Sequence, residues 1–270
     1  YGTSLFFSIF LLLIYFDSKK SVHSNDVTLP KISIIVPAYN EENTIKKTLE
    51  SISKLQYPQH LLQTYVVNDG STDNTKQVIE TYIKNDPQFT LVSHDNMGKA
   101  ASMNKVLDII DSPYFLCLDA DSYVEPESLE TIATYFLQHN AENLAIVTPA
   151  MKVYKPKNWL QKIQRFEYIV MLLFARLASQ IDSLYVAPGP FSMYKTSVIK
   201  QLGGFDTSTL TEDQEIAYRI QEHQYQIKHC PNAHVYTVSP DNIKAFYFQR
   251  RRWYMGGMQC SIKYQHLIAN

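Results

Sequence analysis

The sequence predicts an α/β protein built on a mostly parallel sheet with helices on both faces. The first observation is a series of short β-branched runs, such as ISIIV at residues 32–36, which have the composition of buried strands. The second is that amphipathic segments follow these runs, as where Ile45, Leu49 and Ile52 recur at helical spacing. Strands that alternate with helices along a chain form parallel sheets.

The individual elements follow in order along the chain. Asn40 is the expected N-cap of the first helix, with Glu41 and Glu42 in its first turn. Shorter helices are expected around Val78 and Leu129. The predicted strands cover residues 32–36, 64–67, 90–93, 114–118 and 144–151, and the remaining predicted helices cover residues 99–110, 158–177, 212–223 and 243–259.

Composition and charge exclude several classes of function. With 270 residues the chain is long enough to bury a large core. The formal net charge of −1 argues against a general nucleic-acid binder, which needs a basic surface. Cys117, Cys230 and Cys260 have no metal-binding spacing, so we expect no disulfide framework or structural zinc site, and a reducing compartment.

The N-terminal segment indicates a membrane anchor. Residues 1–16 are almost wholly apolar and carry no charge, whereas a full span needs about 20 such residues. Lys19 and Lys20 follow, and by the positive-inside rule they place the rest of the chain in the cytoplasm. A signal peptide is the alternative, but no small-residue cleavage site follows the run. We therefore expect a partial transmembrane helix at residues 1–17 and a linker at residues 18–30.

Acidic and polar segments follow three of the predicted strands: PAYNEE at 37–42, NDGSTD at 68–73 and DADS at 119–122. The carboxyl ends of parallel strands meet at one edge of the sheet, where ligands bind. The first of these turns lacks the glycines of a dinucleotide fingerprint. At about 4 Å and an effective dielectric near 20, Asp119 and Asp121 would repel each other by about 4 kcal/mol, so a positive group is expected beside them.

Several motifs, in this order and at these intervals, resemble the family 2 glycosyltransferases of the GT-A fold. They are IIVPAYNEE, VVNDGSTD, GKAASMN, LDADS, LTED and QRRRW, together with GPFSMY before LTED. The subset they most resemble is the membrane-embedded synthases of cellulose, chitin, hyaluronan and poly-N-acetylglucosamine. The resemblance covers about residues 31–258. It implies a GT-A catalytic domain at 31–242, then at 243–270 an interface helix and the start of a C-terminal membrane region.

The resemblance also implies roles for the residues at the sheet edge. Asp119 and Asp121 look like a DxD motif that binds Mg²⁺ or Mn²⁺, with Asp121 the more direct ligand; oxygen ligands suit both ions. The donor-binding residues implied by the resemblance are Tyr39 and Glu41 beside the base and ribose, Asp69 at the base, Lys99 at the nucleotide or its phosphates, and Asp119. Many relatives have two aspartates where this chain has Asn68 and Asp69, which leaves open which position reads the base.

The segment TEDQ at residues 211–214 has two compatible interpretations. Thr211 and Gln214 have the spacing of a capping box, which would start a helix with acidic residues in its first turn. By resemblance, Asp213 is the catalytic base, with Glu212 beside it. A single base without a separate nucleophile implies direct displacement, so an α-linked sugar nucleotide would give a β-linkage.

The QRRRW segment places Gln249, Arg252 and Trp253 on one face of a helix, at i, i+3 and i+4. This face is expected to contact the acceptor and the diphosphate, with Trp253 stacked on a sugar and Arg252 paired with phosphate. The alternative is an interfacial helix whose Arg250 and Arg251 meet lipid headgroups. Gly256 and Gly257, which follow, permit a bend or an end of the helix.

These features predict an inverting glycosyltransferase that moves a sugar from a nucleotide-sugar, expected to be a UDP-sugar, to a growing β-linked polysaccharide at the cytoplasmic face of the cell membrane. The expected partners are this donor, a saccharide or lipid-linked acceptor and membrane lipids, without nucleic acid. Transfer of one sugar to a lipid carrier is the main alternative. A dehalogenase-type phosphatase also uses DxD, but this chain has Tyr123 where that pattern wants Thr or Val. A non-catalytic receptor for nucleotide-sugars is the third alternative function.

Overall fold

The computed structural model describes residues 28–139 and 142–267, together with Ile9 and Leu13. The predicted transmembrane segment at 1–17 and most of the linker at 18–30 lie outside the described residues and stay predictions. Within the described part of the chain, none of the helices has both the length and the apolar character needed to span a bilayer.

One eight-stranded mixed sheet organises the described residues. Its strands are β1 (Ile32–Ala38), β2 (Leu62–Asp69), β3 (Phe89–His94), β4 (Tyr114–Cys117), β5 (Ser122–Val124), β6 (Leu144–Val153), β7 (Met193–Lys195) and β8 (Gln226–Thr237). They lie in the order β3-β2-β1-β4-β7-β6-β8-β5. Strands β3, β2, β1 and β4 pair in parallel, as predicted, whereas β7 runs antiparallel to both β4 and β6, and β5 runs antiparallel to β8.

The helices of the described residues are α1 (Ile45–Ile52), α2 (Thr75–Ile83), α3 (Lys99–Ile109), α4 (Ser128–Gln138), α5 (Trp159–Gln180), α6 (Thr196–Gln201), α7 (Glu212–Glu222) and α8 (Ile243–Lys263). The last of these continues through Gly256 and Gly257 to Lys263, past the predicted end near residue 259. The two glycines therefore do not end the helix.

Apolar side chains fill both faces of the sheet, as predicted. On one face, Ile34 and Val36 of β1 pack with Leu49 of α1 and Ile132 of α4. On the other face, Ile35 belongs to a second buried cluster that includes residues of α3 and α7. Successive side chains of a strand point to opposite faces, so a strand buried on both sides is apolar throughout.

Asn40 does not cap the first helix, contrary to the prediction. That helix begins at Ile45 with Thr44 as its N-cap, so Glu41 and Glu42 precede it. Asn40 has a φ of +56° and its Oδ1 accepts a hydrogen bond from the Thr72 backbone N–H at 2.8 Å. An asparagine tolerates this left-handed conformation better than most residues. Its side chain joins two loops instead of capping a helix.

Candidate active site

The loops after β1 and β2 are tied to each other by hydrogen bonds. The Glu41 N–H donates to Thr75 Oγ1 at 2.7 Å. The Glu42 Oε2 accepts from the Asn74 N–H at 3.0 Å. These bonds lie at the carboxyl edge of the parallel strands, where the sequence predicted a site. They join the PAYNEE and NDGSTD segments into one wall of a cleft.

Lys99 lies at the centre of the site. Its Nζ is 2.7 Å from Asp119 Oδ1 and 2.9 Å from Glu212 Oε1. Asp119 follows β4 and Glu212 opens α7, so one ammonium joins the predicted DxD and TED motifs. Burial would lower the pKa of Lys99, but Asp119, Glu212 and Asp213 hold it well above its usual value. Lys99 thus supplies part of the positive charge expected beside the aspartates.

Gly189 leaves room for this ion pair. A Cβ at Gly189 would lie 2.7 Å from Lys99 Nζ and 3.7 Å from both carboxylate oxygens of Asp119. The GPFSMY segment that contains Gly189 is fixed by Phe191, whose φ is +65° and whose N–H donates to the Cys117 carbonyl at 2.5 Å. Residue type and spacing in the sequence did not indicate a role for Gly189. The only signal was the resemblance of this segment to a motif that precedes TED.

Asp121 is partly buried close to two other carboxylates. Burial, followed by repulsion from Asp119 and Glu41, raises the pKa of Asp121 to about 7. Its Oδ1 accepts a long hydrogen bond of 3.3 Å from the Ser122 hydroxyl. A divalent cation would relieve this repulsion, and Mg²⁺ is commonly held by one or two carboxylates plus substrate phosphates.

The donor set fits such a shared site. Among the described residues, no group of three or more His, Cys, Asp or Glu side chains is arranged to hold a metal by itself. Asp121 and Asp119 offer oxygen ligands only, which suit a hard cation. Further ligands would have to come from a bound diphosphate.

Asp213 and Glu212 are neighbours in opposite electrostatic situations. Burial would raise the pKa of Glu212, but its ion pair with Lys99 holds that pKa below the usual value. Burial and repulsion by Glu212 raise the pKa of Asp213 to about 6, although Lys99 and Arg252 oppose the shift. Asp213 Oδ1 accepts the Gln214 N–H at 2.9 Å. Glu212 is therefore fixed as an anion, whereas Asp213 can gain and lose a proton near neutral pH.

The capping box predicted at residues 211–214 does not form. Thr211 is the N-cap of α7, but its side chain makes no capping hydrogen bond. The threonine side chain instead faces α8, where it lies against Gly256. A close contact between helices has displaced the local hydrogen bonds that the sequence favoured.

The predicted base-binding residues differ in exposure. The side chain of Tyr39 is exposed at the rim, whereas Asp69 is buried. Asp69 Oδ1 accepts the Met97 N–H at 2.8 Å, and its Oδ2 accepts the Gly98 N–H at 3.0 Å. Both carboxylate oxygens thus hold the loop that leads into Lys99. A contact of Asp69 with a base stays a prediction, and this loop contact is a role that the sequence did not indicate.

The QRRRW helix contacts the site on one side. Arg252 has an exposed side chain, and its charge lowers the pKa of Glu212 and opposes the rise in the pKa of Asp213. Arg250 is paired within the protein: its Nη2 lies 2.6 Å from Glu167 Oε2, and its guanidinium stacks 4.2 Å from the Trp253 ring centroid. A contact of Arg250 or Arg251 with lipid headgroups stays a prediction. Gln249 Oε1 is buried without a hydrogen-bond partner in the described structure.

Comparisons with known proteins identify the family of the chain. The family model for glycosyl transferase family 2 matches residues 33–203. A poly-beta-1,6-N-acetyl-D-glucosamine synthase of Staphylococcus epidermidis is 30% identical over 252 residues, which cover 92% of this chain and 60% of the relative. A synthase of the same name from Staphylococcus aureus is 28% identical over 87% of this chain and 56% of its own length. The chain thus spans somewhat more than half the length of these relatives.

Solved structures show the same fold. The mannosyltransferase PcManGT from Pyrobaculum calidifontis, in complex with GDP-Man and Mn²⁺, superposes with a TM-score of 0.78 at 22% identity, over 97% of this chain and 71% of that one. Staphylococcus aureus TarS 1–349 in complex with UDP-GlcNAc gives a TM-score of 0.61 at 22% identity, over 80% of this chain and 60% of that one. The fold is the GT-A glycosyltransferase fold, and the chain belongs to glycosyl transferase family 2.

Proposed function

We propose that this glycosyltransferase is an inverting, metal-dependent enzyme that adds sugars from a UDP-sugar to a growing β-linked polysaccharide at the cytoplasmic face of the cell membrane. The observation that carries the proposal is the single ammonium of Lys99, which joins Asp119 to Glu212. These ion pairs link Asp119 to the residue that precedes Asp213, which supports a donor and cation site next to the proposed base.

Asp121, with Asp119, would hold Mg²⁺ or Mn²⁺ together with the donor diphosphate. The cation would balance the charge that grows on the leaving diphosphate as the glycosidic bond breaks. Lys99 keeps Asp119 in position, and Arg252 brings a second positive charge to the same side of the cleft. These residues stabilise the leaving group rather than form bonds to the sugar.

Asp213 is the general base in this proposal. Its raised pKa lets it take the proton of an acceptor hydroxyl near neutral pH. The hydroxyl oxygen forms a bond to the anomeric carbon as the bond to the diphosphate breaks, and the leaving nucleotide carries the electron pair away. No enzyme nucleophile takes part, so the configuration inverts from α to β.

The names of relatives and neighbours support N-acetylglucosamine as the first sugar to test. The two relatives compared above are named poly-beta-1,6-N-acetyl-D-glucosamine synthases. TarS 1–349 has been solved with UDP-GlcNAc and with UDP, whereas PcManGT has been solved with GDP-Man. We infer UDP-N-acetylglucosamine as donor and a poly-N-acetylglucosamine chain as product.

Two helices support a location at a membrane surface. Phe166 and Phe174 of α5 are 67% and 57% exposed, and Tyr254 and Ile262 of α8 are 74% and 67% exposed. Large apolar side chains exposed together mark a surface that binds a membrane or a protein. We propose that α5 and α8 rest on the cytoplasmic leaflet. Binding of the purified protein to liposomes, and its loss in a Phe166→Ser, Ile262→Ser double variant, tests this location.

The enzymatic proposal is tested by incubating the intact protein with a panel of UDP-sugars and Mg²⁺ or Mn²⁺, then identifying the products. A ladder of β-linked oligosaccharides with release of UDP is expected. A single glycolipid as the product would show that the enzyme transfers one sugar and does not synthesise a polymer. Release of inorganic phosphate without free nucleotide would overturn the glycosyltransferase mechanism.

A further inference from the structure

Helix α8 contacts the start of α7 at Gly256. The two helices lie too close there for a residue with a Cβ atom at position 256. A Cβ built at Gly256 would lie 2.5 Å from Thr211 Cγ2 and 2.9 Å from Thr211 Cβ, and it would also overlap Thr211 Oγ1. Real Cβ atoms essentially never come within 3.0 Å of a neighbour. Gly256 is buried, and Thr211 directly precedes Glu212 and Asp213. An added methyl group would therefore press on the residue that leads into the proposed base.

The other end of α8 is fixed, so the helix cannot move away to relieve such an overlap. Lys263 Nζ lies 2.8 Å from Glu215 Oε1, and the Tyr264 hydroxyl donates to the same oxygen at 2.5 Å. Glu215 belongs to α7, and its side chain is fully buried. These contacts hold the C-terminal end of α8 against α7. The overlap would instead displace Thr211 and the residues after it.

The same contact affects the distance between Arg252 and the proposed base. Arg252 precedes Gly256 by four residues, so the two share a face of α8. That face is turned toward the start of α7, because Gly256 lies against Thr211. Displacement of Thr211 and the residues after it would therefore change the distance from Asp213 to Arg252, while α8 stays in place.

We propose that Gly256 is a positioning residue, whose close contact with Thr211 fixes the start of α7 against α8 and so the place of Asp213 in the cleft and its distance from Arg252. This inference rests on the proposed function. Gly256 itself touches no substrate under that function. A change at Gly256 would lower turnover through the position of Asp213, whereas the donor is proposed to be held by Asp121, Asp119 and Lys99.

Gly257 offers a matched control in the next position of the same helix. A Cβ at Gly257 would lie 3.3 Å from Gln214 Oε1, the far end of a flexible side chain that can move aside. Both Gly→Ala changes raise helix propensity equally. We expect Gly256→Ala to lower kcat at least tenfold with the Kd for UDP changed less than twofold, and Gly257→Ala to leave both within twofold of wild type.

A second variant separates this contact from a general loss of structure. Thr211→Gly removes the three atoms that the new methyl group would meet. The double variant Thr211→Gly, Gly256→Ala should therefore have a kcat at least fivefold higher than that of Gly256→Ala alone. The Tm values of the two single variants, the double variant and wild type form a double-mutant cycle. Gly256→Ala should lower Tm in the wild-type background and not in the Thr211→Gly background.

The two proposals fail differently. Equal kcat values for Gly256→Ala and Gly257→Ala in an active enzyme would overturn the positioning role of Gly256. If the wild-type protein consumes no nucleotide-sugar, the proposed function is overturned, and the Tm cycle still decides the contact: additive Tm changes would contradict it.

Discussion

The two walls of the cleft are held together by different kinds of interaction. The wall formed by the loops after β1 and β2 is fixed largely by hydrogen bonds between backbone and side chains, such as the Thr72 N–H to Asn40. The wall formed by α7 and α8 depends on charged side chains and on the glycine contact at Gly256. The first wall follows directly from the order of parallel strands. The second is assembled from segments far apart in sequence, so single side-chain changes should affect it more.

The largest effect is expected on the second wall, at Asp213. Asp213→Asn keeps the size of the side chain but cannot accept the proton of an acceptor hydroxyl, so kcat should fall by about 10²–10⁴-fold. Steady-state kinetics with the active UDP-sugar measures the loss, and equilibrium binding of UDP should be within about threefold of wild type. A receptor without catalysis would instead keep its function in this variant.

The pH dependence of wild type sharpens the same prediction. The pKa of Asp213 is raised to about 6, and the base acts only when ionised. Activity should therefore fall as the pH drops through about 6 and should level off above it. A profile of kcat/KM without an acidic limb near this pH would contradict the assignment of Asp213 as base.

A large effect is also expected at the proposed metal site, in the DADS segment next to the first wall. Asp121→Asn should abolish the rise in Tm that Mn²⁺ and UDP together produce in wild type, because the main oxygen ligand loses its charge. Differential scanning fluorimetry with and without Mn²⁺ measures it. The control is Asp111→Asn, a surface change in the loop that precedes β4, which should keep the full rise in Tm.

Removal of the Lys99 ammonium should have a smaller effect, which is expected in the free energy of unfolding. Lys99→Met leaves Asp119 and Glu212 facing each other without a counter-charge, and breaking such a partly buried pair should cost about 2–4 kcal/mol in the free energy of unfolding. The matched control is Lys31→Met, since the Lys31–Asp111 pair is exposed and should contribute at most about 1 kcal/mol. Urea denaturation compares the two. Equal losses would show that Lys99 does not hold the walls together.

The smallest effect is expected at the interface between α5 and α8. Arg250→Ala removes the ion pair with Glu167 and the stacking on Trp253, which together should contribute about 1–2 kcal/mol. Arg251→Ala, on the exposed side of the same helix, should change stability by less than about 0.5 kcal/mol. Urea denaturation of both variants would contradict the account if Arg251 mattered as much as Arg250.

The sequence predicted the first wall better than the second. Strands β1, β2 and β4 are long or strongly apolar, and their order brings DADS next to PAYNEE without further information. Strands β5 and β7 have only three residues each, too few for a recognisable pattern. The capping predictions at Asn40 and Thr211 failed because contacts with distant segments replaced local hydrogen bonds.

The contacts of Gly189 and Gly256 could not be predicted either. Each glycine lies against a residue distant in sequence, Lys99 for Gly189 and Thr211 for Gly256. A glycine has no side chain whose chemistry could indicate such a contact. Only the folded structure shows what an added Cβ would meet.

The most direct test of the central claim is a structure of the Asp213→Asn variant with UDP-N-acetylglucosamine and Mn²⁺. We expect the ion on Asp121 with the diphosphate, Lys99 still between Asp119 and Glu212, and the anomeric carbon facing residue 213 across a gap that fits an acceptor hydroxyl. A nucleotide bound away from Asp121, or a sugar turned away from residue 213, would contradict the account.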